Sequence, residues 1–374
     1  ARAAGVDAAL TVDVGGTSAD VGLVVDGEAL VEAGGTVAGV PIALPRVLVE
    51  TVSAGGGSIG WRDDGGALRV GPRSAGALPG PAAFGRGGTE PTVTDAHVVL
   101  GNIAAASFGV GVRLDTDAAH RAVASLAASL GADVQRTARA MVEIADAEMS
   151  RALRRVSVER GVDPRRCTLV AFGGGGPLHA CALAERLGMT RVLVPPHAGV
   201  LSALGLALAA ARREAIVSVM RPTDVLDVAA LRAVHDDLAA RAGEGATRRS
   251  WLRVRYFGQG YELEVPLADG DDGARVAERF AAAHRARFGF TLDRPAEVVS
   301  ARHAASAEPR EVVLARRADV AGWDPDGRRD GGGAADVTLR GPSIVTLPDA
   351  TLLVAPGWTA RTLPIGGWML DRDA

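Results

Sequence analysis

The chain has 374 residues, 41 basic against 44 acidic side chains and a formal net charge of -3, too balanced for the basic face of a nucleic-acid binder. Hydrophobic residues make up 48% and charged residues 23%, as in a globular protein of roughly two or three domains whose core needs no staples. No stretch reaches the ~18 apolar residues of a membrane span, and Ala1 to Leu10 lacks the apolar run of a secretory signal.

The predicted elements begin at once. Thr11 to Asp13 and Val21 to Val25 are β-rich runs around Gly15-Gly16-Thr17-Ser18, and Asp26-Gly27 is a second hairpin signal. Ala54 to Thr94 is rich in Gly and Pro: Gly55-Gly56-Gly57, Gly71-Pro72, Pro79-Gly80-Pro81 and Gly85 to Gly88. Because it also holds Trp61, Leu68, Val70 and Phe84, it is expected to be ordered loops near a site. Asp115 to Leu130 and Gln135 to Gly161 have helical periodicity. Thr168 to Phe172 reads as a buried strand running into Gly173-Gly174-Gly175-Gly176 and a helix opened by Pro177. Arg191 to Val194 is another strand, followed by an apolar helix from Leu201; the alternation indicates an α/β layer. Helices are expected over Ala229 to Arg241 and Val276 to Phe288, and strands on both sides of Gly258-Gln259-Gly260. Ala321 to Gly333 reads as an exposed linker, and Val337 to Leu370 as short strands.

Some chemistry is excluded by composition. Every basic residue is arginine, so a P-loop or a Schiff base, both of which need lysine, cannot form within this chain. Cys167 and Cys181 make no disulfide framework and point to a reducing, cytoplasmic setting. The histidines show no metal-ligand spacing.

The sharpest motif is Asp13-Val14-Gly15-Gly16-Thr17-Ser18-Ala19-Asp20. Glycines let backbone N–H groups turn toward an anion, and the Thr17 and Ser18 hydroxyls add donors. A carboxylate beside such a loop, Asp13, can hold Mg²⁺ through water. A plain glycine hairpin accounts for the same residues. Gly173 to Gly176, between a buried strand and a helix, is a second ligand loop with positive potential from the helix N-terminus. Gly55-Gly56-Gly57 reads as a third anion or nucleotide loop. Gly56 to Gly60 also fits the G-x-S-x-G elbow around Ser58, but the expected hairpin after it argues against that reading. Asp95 is read as a helix N-cap. His97 could face a pocket or be structural, and His179 reads as a packing residue. Arg73 and Arg86 could meet an anionic ligand or lie solvated on the surface.

The ordered series DVGGTSADVGLV, SAGGGSIGW, VGPRSAGALPGPAAFGRGGTEPTVTDAHVVLGN, SVERGVDPR, LVAFGGGGPLHACALAERLG and VPPHAGVLSALG resembles the hydantoinase A/5-oxoprolinase family, and VRYFGQGYELEVP with FAAAHRARFGF resembles its C-terminal region. The chain differs in having Ala19 for a usual Thr, Ala83-Phe84 for Cys-Tyr and His97 for Asn. The resemblance implies an α/β fold: a lobe like that of actin, the heat-shock ATPases and sugar kinases (ribonuclease H-like) over 1–222, then a smaller, strand-rich α+β domain over 223–374. It implies ATP and Mg²⁺, with Asp13 and Asp20 as catalytic carboxylates. Gly15, Gly16, Thr17, Ser18, Gly55, Gly56, Gly57, Gly173, Gly174, Gly175 and Gly176 would bind the nucleotide. The implied activity is ATP-dependent hydrolysis of a lactam or hydantoin, with phosphorylation of the lactam oxygen before ring opening. The implied partners are a B-type subunit or domain and an N-terminal lobe preceding Ala1; neither nucleic acid nor membrane is expected. A ketone carboxylase subunit and a non-catalytic lone lobe are the alternatives.

Overall fold

The computed structural model describes residues 1–32, 35–37, 40–42, 46–103, 113–308 and 337–373. The chain divides into two compact units, Ala1–Leu204 with Leu314–Ala374, and Gly205–Val313. The expected linker over Ala321 to Gly333 lies outside the described residues.

The first unit is built on a nine-stranded mixed sheet. Its centre is three parallel strands, Ala9–Val14, Thr168–Phe172 and Arg191–Val194. Leu10, Val12, Leu169, Ala171, Val192 and Val194 are fully buried, as parallel strands covered by helices require. On one side Ala9–Val14 pairs antiparallel with Ala19–Val25, which pairs with Val49–Val52. The next turn, Asp26-Gly27, has φ of 52° and 72°, the two left-handed residues of a mirror-image hairpin turn. On the other side Arg191–Val194 pairs antiparallel with Trp368–Arg372, and Trp358–Thr362 continues the sheet.

That edge corrects the expected division after residue 222. Trp358, Trp368 and Leu370 belong to the same buried cluster as Leu10 and Leu169, and the Trp358 indole donates to Glu185 at 2.8 Å. The final strands therefore complete the main sheet rather than a separate domain. Burying two tryptophans against that sheet contributes several kcal/mol that a detached hairpin could not gain.

The helices follow the apolar periodicity. Val134–Ser157 buries Met141, Ala145, Met149, Leu153 and Val156, and Asp133 caps it by accepting from the Arg136 N–H. Thr116–Leu130 is capped by Asp115. In the shorter helix Val93–Val99, however, the cap is Thr92, not Asp95 as expected. Asp95 sits at the third helical position and completes a reciprocal capping box with Thr92.

The second unit is a four-stranded antiparallel sheet with Arg212–Pro222, Ala296–Ser306, Thr247–Tyr256 and Leu263–Pro266 in that order. Helices Val228–Ala242 and Gly273–Phe288 bury Leu231, Leu238, Val276 and Phe280 against it. The expected boundary at 222 falls at the end of one of these strands, whose partner Ala296–Ser306 lies beyond it. Among the described residues no helix is long and apolar enough to cross a membrane.

Candidate functional site

Three glycine loops meet at the carboxyl end of the central strands, where open α/β sheets place ligands. Asp13 is the penultimate residue of the strand Ala9–Val14 and pairs in register with Phe172 on one side and Asp20 on the other. The loop from Gly15 to Ser18 is closed by one hydrogen bond, Gly15 N–H to the Ser18 carbonyl at 3.0 Å. The N–H groups of Gly16, Thr17 and Ser18 donate to nothing among the described residues. Gly15, Gly16 and Thr17 are exposed. Amides left open in this way have the form of a cradle that an anion can enter.

Gly173 to Gly176 packs beside this cradle. Gly173 has φ +78°, and a Cβ there would fall on the Asp13 carboxylate and 2.6 Å from the Val14 carbonyl oxygen. Its N–H donates to the Ala198 carbonyl at 2.8 Å, and the Gly175 N–H to the Val14 carbonyl at 2.9 Å. Only glycine permits this approach. Gly174 is different: it is exposed, a Cβ there meets nothing within 4 Å, and its N–H donates to nothing among the described residues. Gly176 opens the helix Gly176–Leu187, which has no side-chain cap. Gly174 and this helix start add donors and positive potential beside Asp13.

Gly55, Gly56 and Gly57 occupy the same place but face another way. Gly56 N–H donates to the Gly15 carbonyl at 2.9 Å and Gly57 N–H to the Gly16 carbonyl at 2.6 Å. Gly55 N–H donates to Ser58 Oγ at 3.0 Å. A Cβ on Gly55 would lie 2.6 Å from the Ser18 nitrogen. The Gly56 and Gly57 amides are occupied in pinning the first loop, and that of Gly55 in holding Ser58. Ser58 is fully buried, its Oγ donates to the Ser53 carbonyl, and the strand Ser58–Arg62 follows it rather than a helix. It is no nucleophile elbow.

Asp13 and Asp20 share one face of the sheet as direct cross-strand partners. Ser202 Oγ donates to Asp13 Oδ2, and Thr51 Oγ1 donates to Asp20 Oδ1 at 2.5 Å. The other oxygen of each carboxylate accepts no hydrogen bond among the described residues. Sequence reasoning missed Ser202 and Thr51, because the partners are 189 and 31 residues apart and neither hydroxyl sits in a motif.

Behind the cradle lie buried polar groups. Asp95 is fully buried and accepts from Thr92 Oγ1 and from the Thr92, Ala82 and Ala83 amides at 2.7–3.2 Å. Burial raises its pKa, and these hydrogen bonds oppose the rise. His97 and His179, each 2% exposed, stack edge to face at 4.8 Å. His179 Nδ1 pairs with Asp146 at 2.6 Å, and His97 Nδ1 with the Asn102 amide at 3.0 Å. Burial pushes the His97 pKa well down, helped by His179. His97 therefore lines no open pocket. Arg73 pairs with Glu90 at 3.0 Å. Cys167 and Cys181 are free and buried. No group of three or more metal-ligating side chains occurs among the described residues.

A large mixed α/β sheet with glycine loops at its carboxyl edge defines the class. Residues 1–215 match the hydantoinase/oxoprolinase family model, and the chain belongs to that family. It is 35% identical to the caprolactamase subunit alpha of Pseudomonas jessenii over 96% of its length, and 34% identical to 5-oxoprolinase 1 of Arabidopsis thaliana over 75%. It spans 58% of the first of these and 24% of the second. The crystal structure of the ATP-dependent caprolactamase from Pseudomonas jessenii superposes with a TM-score of 0.78 at 31% identity, covering 100% of this chain and 60% of that one. The nucleotide-free structure of an acetone carboxylase matches with a TM-score of 0.74 at 25% identity, covering 99% and 59%.

Proposed function

We propose that this chain contributes the phosphate-binding part of an ATP-dependent hydrolase of cyclic amides. The observation that carries the reading is that the loops Gly15 to Ser18 and Gly173 to Gly176 leave adjacent parallel strands beside Asp13, with the N–H groups of Gly16, Thr17, Ser18 and Gly174 donating to nothing among the described residues. Family membership and the caprolactamase and 5-oxoprolinase relatives support it. On this reading the first unit is a lobe of the actin and sugar-kinase type, a B-type subunit or domain completes the enzyme, and the setting is cytoplasmic.

The residues fit the group. ATP, when bound, would supply a transferable phosphoryl group to activate the lactam oxygen with ADP as leaving group; one water would then add as the ring C–N bond opens to an acyl phosphate, and a second would release the phosphate. The chain's part is positioning and charge neutralisation. Gly16, Thr17 and Ser18 would offer their amides to phosphate oxygens, and Gly174 with the helix start would add donors. Gly55, Gly56 and Gly57 hold the first loop in shape rather than touching phosphate. Two carboxylates directly opposite each other repel. A divalent cation held through water by Asp13 and Asp20 removes that cost, and Mg²⁺ needs only one or two carboxylates besides phosphate and water.

Calorimetry of the chain with ATP, with and without Mg²⁺, tests the cradle; absence of Mg²⁺-dependent binding overturns it. The whole enzyme, with its partner, should then form ADP only when a lactam is present. The acetone carboxylase likeness favours a second reading, phosphorylation in service of ketone carboxylation. ADP formation that needs bicarbonate and a ketone, and ignores lactams, would select it.

A further inference from the structure

Aromatic residues make up 4% of the chain, yet both tyrosines and three of the seven phenylalanines meet at one end of the second unit. They form a column that runs from core to surface. Tyr256 and Phe280 are buried and touch edge to face, their ring centres 4.8 Å apart. Buried His284 continues the column, 5.0 Å from Tyr256 and 4.7 Å from Phe288. Phe290 and Tyr261 flank Phe288 at 6.4 and 5.6 Å. These last three rings are open to solvent: Tyr261 is 52% exposed, Phe288 41% and Phe290 50%. A contiguous exposed apolar patch of this kind marks an interaction site.

The exposed rings are held in place. Gly289, with φ of 83°, ends the helix Gly273–Phe288 and turns the chain, and His284 Nδ1 donates to the Phe290 carbonyl at 2.8 Å. The Arg287 guanidinium lies 5.8 Å from the Tyr261 ring centre and 6.0 Å from that of Phe288. Fixed aromatic rings lose little conformational freedom on binding, and tyrosine and arginine are enriched among the side chains that dominate protein interfaces. The charge of this shelf is one-sided. Residues 284–294 carry Arg285, Arg287 and Arg294 against the single carboxylate of Asp293, in a chain whose formal net charge is -3. These three arginines make no ion pair among the described residues; Arg285 reaches only the Thr291 hydroxyl, at 3.5 Å. Glu262, next to Tyr261 in the chain, already faces Arg253 at 3.9 Å.

Charge and geometry select what covers the shelf. A second copy of the chain, docked two-fold on the same surface, would set unpaired arginines against unpaired arginines, and like charges across an interface are costly. A membrane surface fits no better: the helix spends Val276 and Phe280 in the core, which leaves no apolar stripe to lie in lipid. A protein segment with an apolar side chain between carboxylates satisfies the rings and the arginines together. We propose that the shelf docks a companion protein chain through such an acidic, apolar-tipped segment; that the companion is the B-type subunit rests on the cyclic-amide reading above.

Sedimentation and calorimetry on the whole chain mixed with its B-type subunit test this. A complex should form, and should weaken as salt rises from about 50 to about 300 mM. The double variant Tyr261→Ser with Phe290→Ser should weaken it about tenfold or more, and Arg287→Glu should weaken it further than Arg287→Gln. Both rings are half-exposed and Arg287 is exposed, so the thermal midpoint and Mg–ATP affinity of these variants should match wild type. Four results overturn the proposal: no complex, a complex that the double variant leaves at full affinity, self-association of the chain through the shelf, or binding to phosphatidylserine vesicles through it. Lactam-dependent ADP formation is read in the same mixtures. If it is absent while docking follows the shelf, the cyclic-amide reading falls and the shelf stands. If it is present while docking ignores the shelf, the reverse holds.

Discussion

Asp13 and Asp20 are direct partners across the first hairpin, and each is steadied by a hydroxyl from a distant segment, Ser202 on Asp13 and Thr51 on Asp20. Two like charges in that relationship cost stability, a cost that sites accept for function. Replacing either by Asn removes the repulsion. We expect Asp13→Asn to weaken Mg²⁺-dependent ATP binding at least about tenfold, while the urea midpoint holds or rises. Calorimetry with and without Mg²⁺, alongside urea denaturation, checks both. A variant that loses stability and keeps its Mg–ATP affinity would make the pair purely structural.

Gly173 and Gly174 are neighbours with opposite tolerances. At Gly173 a side chain meets the Asp13 carboxylate and a backbone carbonyl, in a left-handed conformation. Gly173→Ala should destabilise by at least about 2 kcal/mol, the backbone term alone being ~1–2 kcal/mol. At Gly174 the space is open, so Gly174→Val should leave the unfolding midpoint within about 0.5 kcal/mol. It should nonetheless weaken nucleotide binding by blocking the approach to the cradle. Chemical denaturation and nucleotide titration of the two variants give the comparison; equal stability losses would refute it.

Much of this was legible in local sequence. The turn at Gly15 to Ser18, the strand into Gly173 and the helix from Gly176 each follow from turn chemistry and periodicity over a few residues. What stayed hidden was non-local. Nothing near Trp368 says that it pairs with Val194, and nothing near Ser202 says that it reaches Asp13. Gly55 to Gly57 carry the same composition whether their amides face a ligand or another loop. Only the register, with Gly56 on Gly15 and Gly57 on Gly16, separates the two. Asp95 was misplaced by three residues because Thr92 and Asp95 are both good caps, and the capping box uses both.

The two cysteines should be inert in the native state. Burial pushes the Cys181 thiol up to about 12, and raises Cys167 as well, with Asp163 adding to it. A thiolate is the reactive species, so at pH 8 neither should react with a thiol reagent until the chain unfolds. Mass spectrometry after timed alkylation, with and without urea, reads this directly. Rapid native labelling of Cys181 would contradict its burial.

The His97 pair makes a pH prediction whose sign follows from burial. The folded pKa of His97 lies well below the 6.5 of an exposed histidine, chiefly because the charged form loses its water and secondarily because His179 lies beside it. The unfolded chain therefore binds a proton on acidification before the folded chain does. Stability from keeping His97 neutral is present in full above pH ~6.5 and is lost as the pH falls toward the folded value, at up to ~1.4 kcal/mol per unit. Asp95 has the opposite sign, its folded pKa being raised above 3.8, so the two are separated by a difference measurement. Wild type minus His97→Asn should lose stability steadily from pH 7 to pH 5, since all other groups are common to both chains. His97→Asn gives up the Nδ1 bond to Asn102 and the edge contact with His179 in a buried site, so the variant's midpoint at pH 7 should fall while its slope flattens. Urea midpoints at half-unit steps supply the curve, and parallel profiles for the two proteins would show that His97 does not carry the acid sensitivity.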